Sequence, residues 1–315
     1  YRLNKLNLSE KQKMEKQEQI PVLKPSELNE FHFKNIKWNP TISQTKHNSY
    51  HINRLEDYVL ELNFPLPPHR KTLHDFIYLK KGTSKRSKGL NKYHFKAAEI
   101  FFLPAFQITE HEAMSKDTQG IYIHFDDQIF SFLPKNYLND HYTFFQTQSN
   151  PILHISKDTQ DQIEHILDRI MVFYENENEI STNIIASYLL SIFEEIKKDQ
   201  PAEQKKIKNA FTQITELYKN ALAQNIYQKQ SITEYAHILN ISPNYLNKCV
   251  KNSINRTAQD LLNEMLILEA KNLLKFSNLQ IAEIAANLCD QTPSNFSRFF
   301  KKQTGITPKD YLKMY

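Results

Sequence analysis

A stretch repeated at an interval of about 50 residues constrains this 315-residue chain more than any other feature. Ile232-Thr-Glu-Tyr-Ala-His-Ile-Leu239 is matched by Ile281-Ala-Glu-Ile-Ala-Ala-Asn-Leu288. Ser242-Pro-Asn-Tyr-Leu-Asn-Lys-Cys-Val-Lys251 is matched by Thr292-Pro-Ser-Asn-Phe-Ser-Arg-Phe-Phe-Lys301, and Thr257-Ala-Gln-Asp-Leu-Leu262 by Thr307-Pro-Lys-Asp-Tyr-Leu312. Each copy predicts a helix-turn-helix. Apolar residues at helical spacing give a short first helix one buried face: Ile232, Tyr235, Ala236 and Leu239 in one copy, Ile281, Ile284, Ala285 and Leu288 in the other. The small alanines allow a second helix to approach closely. That helix opens on Ser242-Pro243 or Thr292-Pro293, a hydroxyl cap followed by proline at the first helical position, where a missing N–H costs nothing.

With Leu246 and Phe296 turned to the core, the second helices present polar residues outward. These are Asn244, Asn247, Lys248 and Lys251 in the first copy, and Ser294, Asn295, Arg298, Lys301 and Lys302 in the second. Asparagine can pair bidentately with adenine and arginine with guanine, while Lys251, Lys301 and Lys302 suit phosphates. The capped N-terminus also favours an anionic backbone. The plainer alternative is a solvated polar face on a helical repeat. Between the copies Ala258 to Phe276 reads as one helix, about 28 Å long at the usual rise, against roughly 34 Å for a turn of B-DNA. Such a rod would set both outward helices into successive major grooves, or would be an ordinary core helix. Charge points the same way: residues 201–315 hold 15 Lys+Arg and 9 Asp+Glu, so all of the chain's net +5 lies there.

Residues 207–315 resemble the DNA-binding domain of the AraC/XylS family of bacterial regulators. The most specific stretch runs from Ile281-Ala-Glu-Ile-Ala through Phe296-Ser-Arg-Phe-Phe-Lys-Lys-Gln-Thr-Gly-Ile-Thr-Pro308. The resemblance implies that Asn244, Asn247, Lys248, Ser294, Asn295 and Arg298 read bases. It also implies double-stranded DNA and RNA polymerase as partners and a homodimer, and leaves activation and repression both open. One departure stands in the second turn. Where the family usually has glycine and an apolar or aromatic residue, this chain has Cys289-Asp290-Gln291, which asks Asp290 for a left-handed conformation at some cost. Asn255 replaces another glycine.

The first two-thirds reads differently. Residues 1–30 predict a flexible polar arm, and Met14 would be a natural start, leaving residues 1–13 as an upstream extension. Short β-rich runs follow, among them Phe76–Leu79, Ile100–Leu103 and the alternating Ile121, Ile123 and Phe125, separated by Pro65, Pro67, Pro68, Gly82 and Pro104. They predict a small antiparallel barrel or sandwich. Pro68-His69, Tyr78 to Gly82, Glu99 to Pro104 and Gln119 to Phe130 resemble the cupin-like sensor domain of the same regulators, which implies a barrel over residues 31–155 able to hold a small effector. From Ser156 to residue 200 the period becomes helical. Ile163, Ile166, Leu167, Ile170, Phe173 and Tyr174, then Ile184, Ile185, Tyr188, Leu189, Ile192, Phe193 and Ile196, form two apolar stripes. These are expected to be a dimerisation element, the alternative being burial against the barrel. Residues 201–206 are the expected linker. The fold class expected is therefore α+β, a cupin-like barrel with two helices followed by an all-α double helix-turn-helix.

Other classes lose ground. Four glycines, none in a GxGxxG or Walker spacing, argue against a phosphate-cradling loop. No apolar run approaches the length of a membrane span, and the N-terminus lacks a secretory core. Cys249 and Cys289 are expected to be buried free thiols in a reducing cytoplasm. Eleven of the twelve histidines precede residue 200, but no H-x-H pair occurs, so no metal or other cofactor is expected. The basic run Lys80 to Lys88 reads as a solvated hairpin tip, or as a contact for an anion. Two rival readings stay open: a regulator with no effector whose first half only dimerises, and a cupin-class enzyme with a helical appendage.

Overall fold

Aromatic and β-branched runs between breakers form strands, and apolar residues at three and four spacing form helices. The computed structural model describes residues 20–24, 27–28, 49–134, 137–147, 149–176, 182–200 and 210–314. Most of the expected arm, Met14 and the expected linker 201–206 lie outside the described residues. The chain divides into a compact unit of residues 22–206 and a second unit containing residues 207–315.

The strands of the first unit are β1 (Val22–Leu23), β2 (Tyr50–Arg54), β3 (Leu66–Lys71), β4 (His74–Lys81), β5 (Thr83–Lys88), β6 (Asn91–Lys96), β7 (Glu99–Leu103), β8 (Thr109–Met114), β9 (Gln119–Phe125) and β10 (Ile152–His154). They build two five-stranded sheets, ordered β1-β3-β8-β5-β6 and β10-β7-β4-β9-β2. The ladders are antiparallel except β1 with β3, which run parallel. Here the expected barrel needs correction: the described strands form two separate sheets and do not close. The end of the expected arm is also tied down, since Val22 and Leu23 pair with Arg70 and Lys71.

Both faces of the second sheet are buried. Ile77, Leu79, Phe101, Leu103 and Tyr122 pack on one side with Tyr58 and Phe95. Phe76, Tyr78, Ile100, Phe102, Ile123 and Phe125 pack on the other with the helices. Helix α1 (Tyr137–His141) is short; α2 (Lys157–Asn176) and α3 (Thr182–Asp199) are long. Ile163, Leu167, Ile170, Tyr174, Ile185, Leu189, Ile192, Phe193 and Ile196 all enter the core with the second sheet. Most of the stripes read as a dimer seam are thus spent inside the unit, because a sheet with an apolar outer face needs the same cover.

The basic run is corrected too. Lys81-Gly82 makes the turn, but Thr83–Lys88 is strand β5, with Ser84, Arg86, Ser87 and Lys88 buried and Lys85 exposed. Arg86 joins a hydrogen-bonded polar cluster drawn from both sheets. Lys71 Nζ donates to Asp75 Oδ2 and to the Tyr122 hydroxyl, both at 2.6 Å, and that hydroxyl donates to Asp75 Oδ2 at 2.8 Å. His124 Nδ1 meets Asp75 Oδ1 at 2.8 Å. Arg86 Nη1 reaches the same Tyr122 hydroxyl at 3.3 Å, and its Nη2 donates to His111 Nδ1 at 2.9 Å. Burial alone would raise the Asp75 carboxyl, but Lys71, His124 and Arg86 outweigh it and hold it well below the usual carboxylate range.

Burial, and after it the Lys71 charge, lowers His69 to about 3 and His124 to about 4. Both folded values lie below the unfolded 6.5, so unfolding takes up protons in acid. Stability is therefore intact near pH 7 and falls as pH drops from 6.5 toward 4, by up to roughly 2.7 kcal/mol per pH unit for two such groups. Thermal unfolding between pH 7.5 and 4.5 checks this, and a flat midpoint across that range would refute it.

Candidate nucleic-acid interface

The second unit is helical: α4 (Ala210–Asn225), α5 (Ile232–Ile238), α6 (Pro243–Ile254), α7 (Ala258–Phe276), α8 (Ile281–Cys289), α9 (Pro293–Thr304) and α10 (Pro308–Leu312). The two outward helices, α6 and α9, start alike. Ser242 Oγ accepts from the Tyr245 N–H at 3.1 Å and Thr292 Oγ1 from the Asn295 N–H at 3.3 Å, with proline first in each helix. They end alike as well. Asn255 (φ 55) and Gly305 (φ 84) take the left-handed cap, their N–H groups bonding Lys251 and Lys301 carbonyls at 3.0 and 2.8 Å. No atom would meet a Cβ at Gly305, so its torsion, not space, favours glycine there. The turns before these helices are left-handed too, at Asn240 (φ 55) and Asp290 (φ 45). Asp290 holds that conformation for roughly 1–2 kcal/mol that a glycine would not incur.

Helix α7 is the shared core. Leu261, Leu262, Leu266, Ile267, Ala270, Leu273 and Leu274 are buried along it, and it packs against α4, α5, α6, α8, α9 and α10. A capping box, Thr257 with Asp260, fixes its start. Tyr235, Ala236 and Leu246 are buried on one side of the repeat, and Ile284, Ala285, Leu288 and Phe296 on the other. Cys249 and Cys289 are buried free thiols, and burial pushes the Cys289 thiol up to about 12.

Every side chain expected to touch DNA is at least partly exposed: Asn244, Asn247, Lys248 and Lys251 on α6, and Ser294, Asn295, Arg298, Lys301 and Lys302 on α9. Four have internal contacts. Asn247 Oδ1 accepts from the Ala258 N–H at 3.1 Å, tying α6 to the start of α7 and leaving its amide nitrogen as the outward donor. Lys248 Nζ lies 5.9 Å from the Phe211 ring centre. Arg298 Nη2 donates to Asn295 Oδ1 at 2.5 Å, so these two present themselves as a pair. Tyr245, beside Asn244 in the first turn of α6, is also exposed.

A family model described as a helix-turn-helix domain matches residues 235–314. An HTH-type transcriptional regulator from the cgkA 5' region of Pseudoalteromonas carrageenovora is 30% identical over 118 residues, 38% of this chain and 68% of that one. The chain belongs to the AraC family. It is a DNA-binding transcription regulator of that type, and the matched relatives are regulators rather than enzymes. The raffinose operon regulator RafR of Pediococcus pentosaceus is 28% identical over 134 residues, so the chain spans 48% of that relative and 42% of its own length. The activator RhaR of Mannheimia succiniciproducens is 23% identical over 289 residues, 87% of this AraC-family chain and 98% of that one. Among solved structures, the C-terminal domain of AraT from Geobacillus stearothermophilus is 27% identical, with 34% and 89% covered and a TM-score of 0.32. ToxT from Vibrio cholerae is 14% identical, with 84% and 98% covered and a TM-score of 0.36. Among the described residues no helix of this AraC-family protein is long and apolar enough to cross a membrane.

Proposed function

We propose that this AraC-family regulator reads two consecutive major grooves of double-stranded DNA, with Asn244, Asn247, Lys248, Ser294, Asn295 and Arg298 at base edges and Lys251, Lys301 and Lys302 on phosphates. It acts as a homodimer that meets RNA polymerase, under a signal received by the cupin-like first unit. One observation carries the reading: α6 and α9 repeat the same hydroxyl cap, the same leading proline and the same left-handed end, and both turn polar and basic side chains to solvent. The shared core helix α7 supports a fixed separation between them. For the dimer, Val172 and Ile184 are the exposed apolar residues that α2 and α3 retain among their described positions. A regulator without effector is the second reading, favoured by the mutual hydrogen bonding of the side chains between the sheets.

Arg298→Ala is expected to weaken specific binding by about 1–3 kcal/mol and to relax preference at one base pair. Lys301→Ala is expected to weaken binding to all sequences alike and to flatten the salt dependence by about one unit of log slope. Fluorescence anisotropy on a selected operator and its single-base variants, across a salt series, measures both. Unchanged site selection in Arg298→Ala would remove the base-reading assignment.

A further inference from the structure

The cluster between the sheets holds more positive than negative charge. Lys71 and Arg86 are each 3% exposed and Asp75 is 1% exposed. Lys88, also on β5 and alternating with Arg86, is buried with its ammonium on the Ser149 carbonyl at 2.7 Å. Asp75 is the one carboxylate that the described contacts give to these cations. Lys71 and Arg86 converge on a single neutral oxygen, the Tyr122 hydroxyl, at 2.6 and 3.3 Å. Buried charge without a partner is costly. Burial lowers Lys71 to about 8, which still leaves it protonated at neutral pH.

Two of the unused hydrogen-bonding groups are cationic donors. Arg86 Nε is buried with no hydrogen-bond partner among the described residues, and the two bonds of Lys71 leave a third ammonium hydrogen. Two convergent cationic donors favour an anionic acceptor, and a cation would be repelled. We infer that Lys71 and Arg86 form a receptor site for a small oxyanion, a carboxylate or phosphate group on a metabolite, which takes over the acceptor role now filled by the Tyr122 hydroxyl. The inference rests on reading the first unit as the signal-receiving part of the regulator. A cavity of about 400 Å³ elsewhere in the unit, lined by Asp127, Phe130, Ser131, Leu133, Tyr137 and Leu138 among others, has one carboxylate and no cation among its described lining residues, so it disfavours the same ligand.

The test uses the full-length protein, with sodium acetate, benzoate and inorganic phosphate as probes and sodium chloride at equal ionic strength as the reference. The expected result is a saturable rise in the unfolding midpoint with at least one probe. The probe that acts at the lowest concentration separates carboxylate from phosphate. Arg86→Gln and Lys71→Met should each weaken that response about ten- to a hundredfold, as loss of a charge-assisted hydrogen bond does. Should either variant fail to fold, the arginine Nε–H resonances of the wild-type protein decide: one of them should move saturably with the effective probe. If no probe exceeds chloride in either measurement, the inference is wrong. Operator binding by the same preparation keeps the two readings apart. A protein that binds DNA but ignores every probe overturns the oxyanion site alone, whereas one that binds a probe but no DNA keeps the site and loses the regulatory reading.

Discussion

Replacing Asp75 by alanine will cost the first unit about 3–5 kcal/mol of stability, because the change strands charge in a place water does not reach. Its carboxylate serves Lys71 Nζ at 2.6 Å, the Tyr122 hydroxyl at 2.8 Å and His124 Nδ1 at 2.8 Å, and Arg86 Nη1 stands 3.9 Å away. Alanine leaves a buried ammonium and a buried guanidinium with no counter-charge. Asp75→Asn keeps a polar group of the same shape and should fall between the two proteins. Calorimetric unfolding of the full-length variants reads the loss, with DNA binding as a check that the second unit is intact. An alanine variant within 1 kcal/mol of the wild type would mean that the cluster is not held by its carboxylate.

Phe193→Ala should be comparably severe, about 3–5 kcal/mol, by a different cause. Its ring is fully buried, with ring centres of Phe145 at 5.3 Å, Tyr142 at 5.5 Å, Phe144 at 5.7 Å, Phe125 at 5.8 Å and Phe102 at 6.3 Å. Rings that face one another from a sheet, a helix and a loop cannot all move inward to fill the hole. Val172→Ala on α2 makes the contrast: that side chain is 48% exposed, and its loss should change stability by no more than about 0.5 kcal/mol. Equal effects from the two substitutions, measured by urea unfolding, would contradict the described core.

The second unit was the more legible part of the chain, because its determinants are local. Ser242-Pro243 and Thr292-Pro293 announce a helix start within two residues, and the helical spacing of Ile284, Ala285 and Leu288 names a buried face without reference to anything distant. The bounds of α7, Ala258–Phe276, follow from the same kind of signal. Even the departure at Asp290 could be anticipated, and it adopts the left-handed backbone that the missing glycine would have taken.

The first unit hid what depends on partners far apart in sequence. Lys85 and Arg86 look alike in a string of bases, yet one faces water and the other meets His111 and Tyr122 from strands β8 and β9. Period alone cannot tell an apolar stripe that covers a sheet from one that meets a second copy, so Ile163, Leu167, Leu189 and Ile192 allowed both. The parallel pairing of Val22–Leu23 with β3 was likewise invisible, being two residues long and remote from its partner. The exposure of the expected DNA-contacting side chains followed from the repeat; the Arg298–Asn295 bond did not.

On the proposed two-groove reading, helix α7 carries a consequence for the operator. A pair of reading heads on a loose tether would adjust to half-sites at several separations. Here the spacer is the hydrophobic interior of the unit, so its length and twist cannot change unless both heads come apart. Selectivity for the interval between half-sites would then be written in leucines and alanines that never approach the nucleic acid.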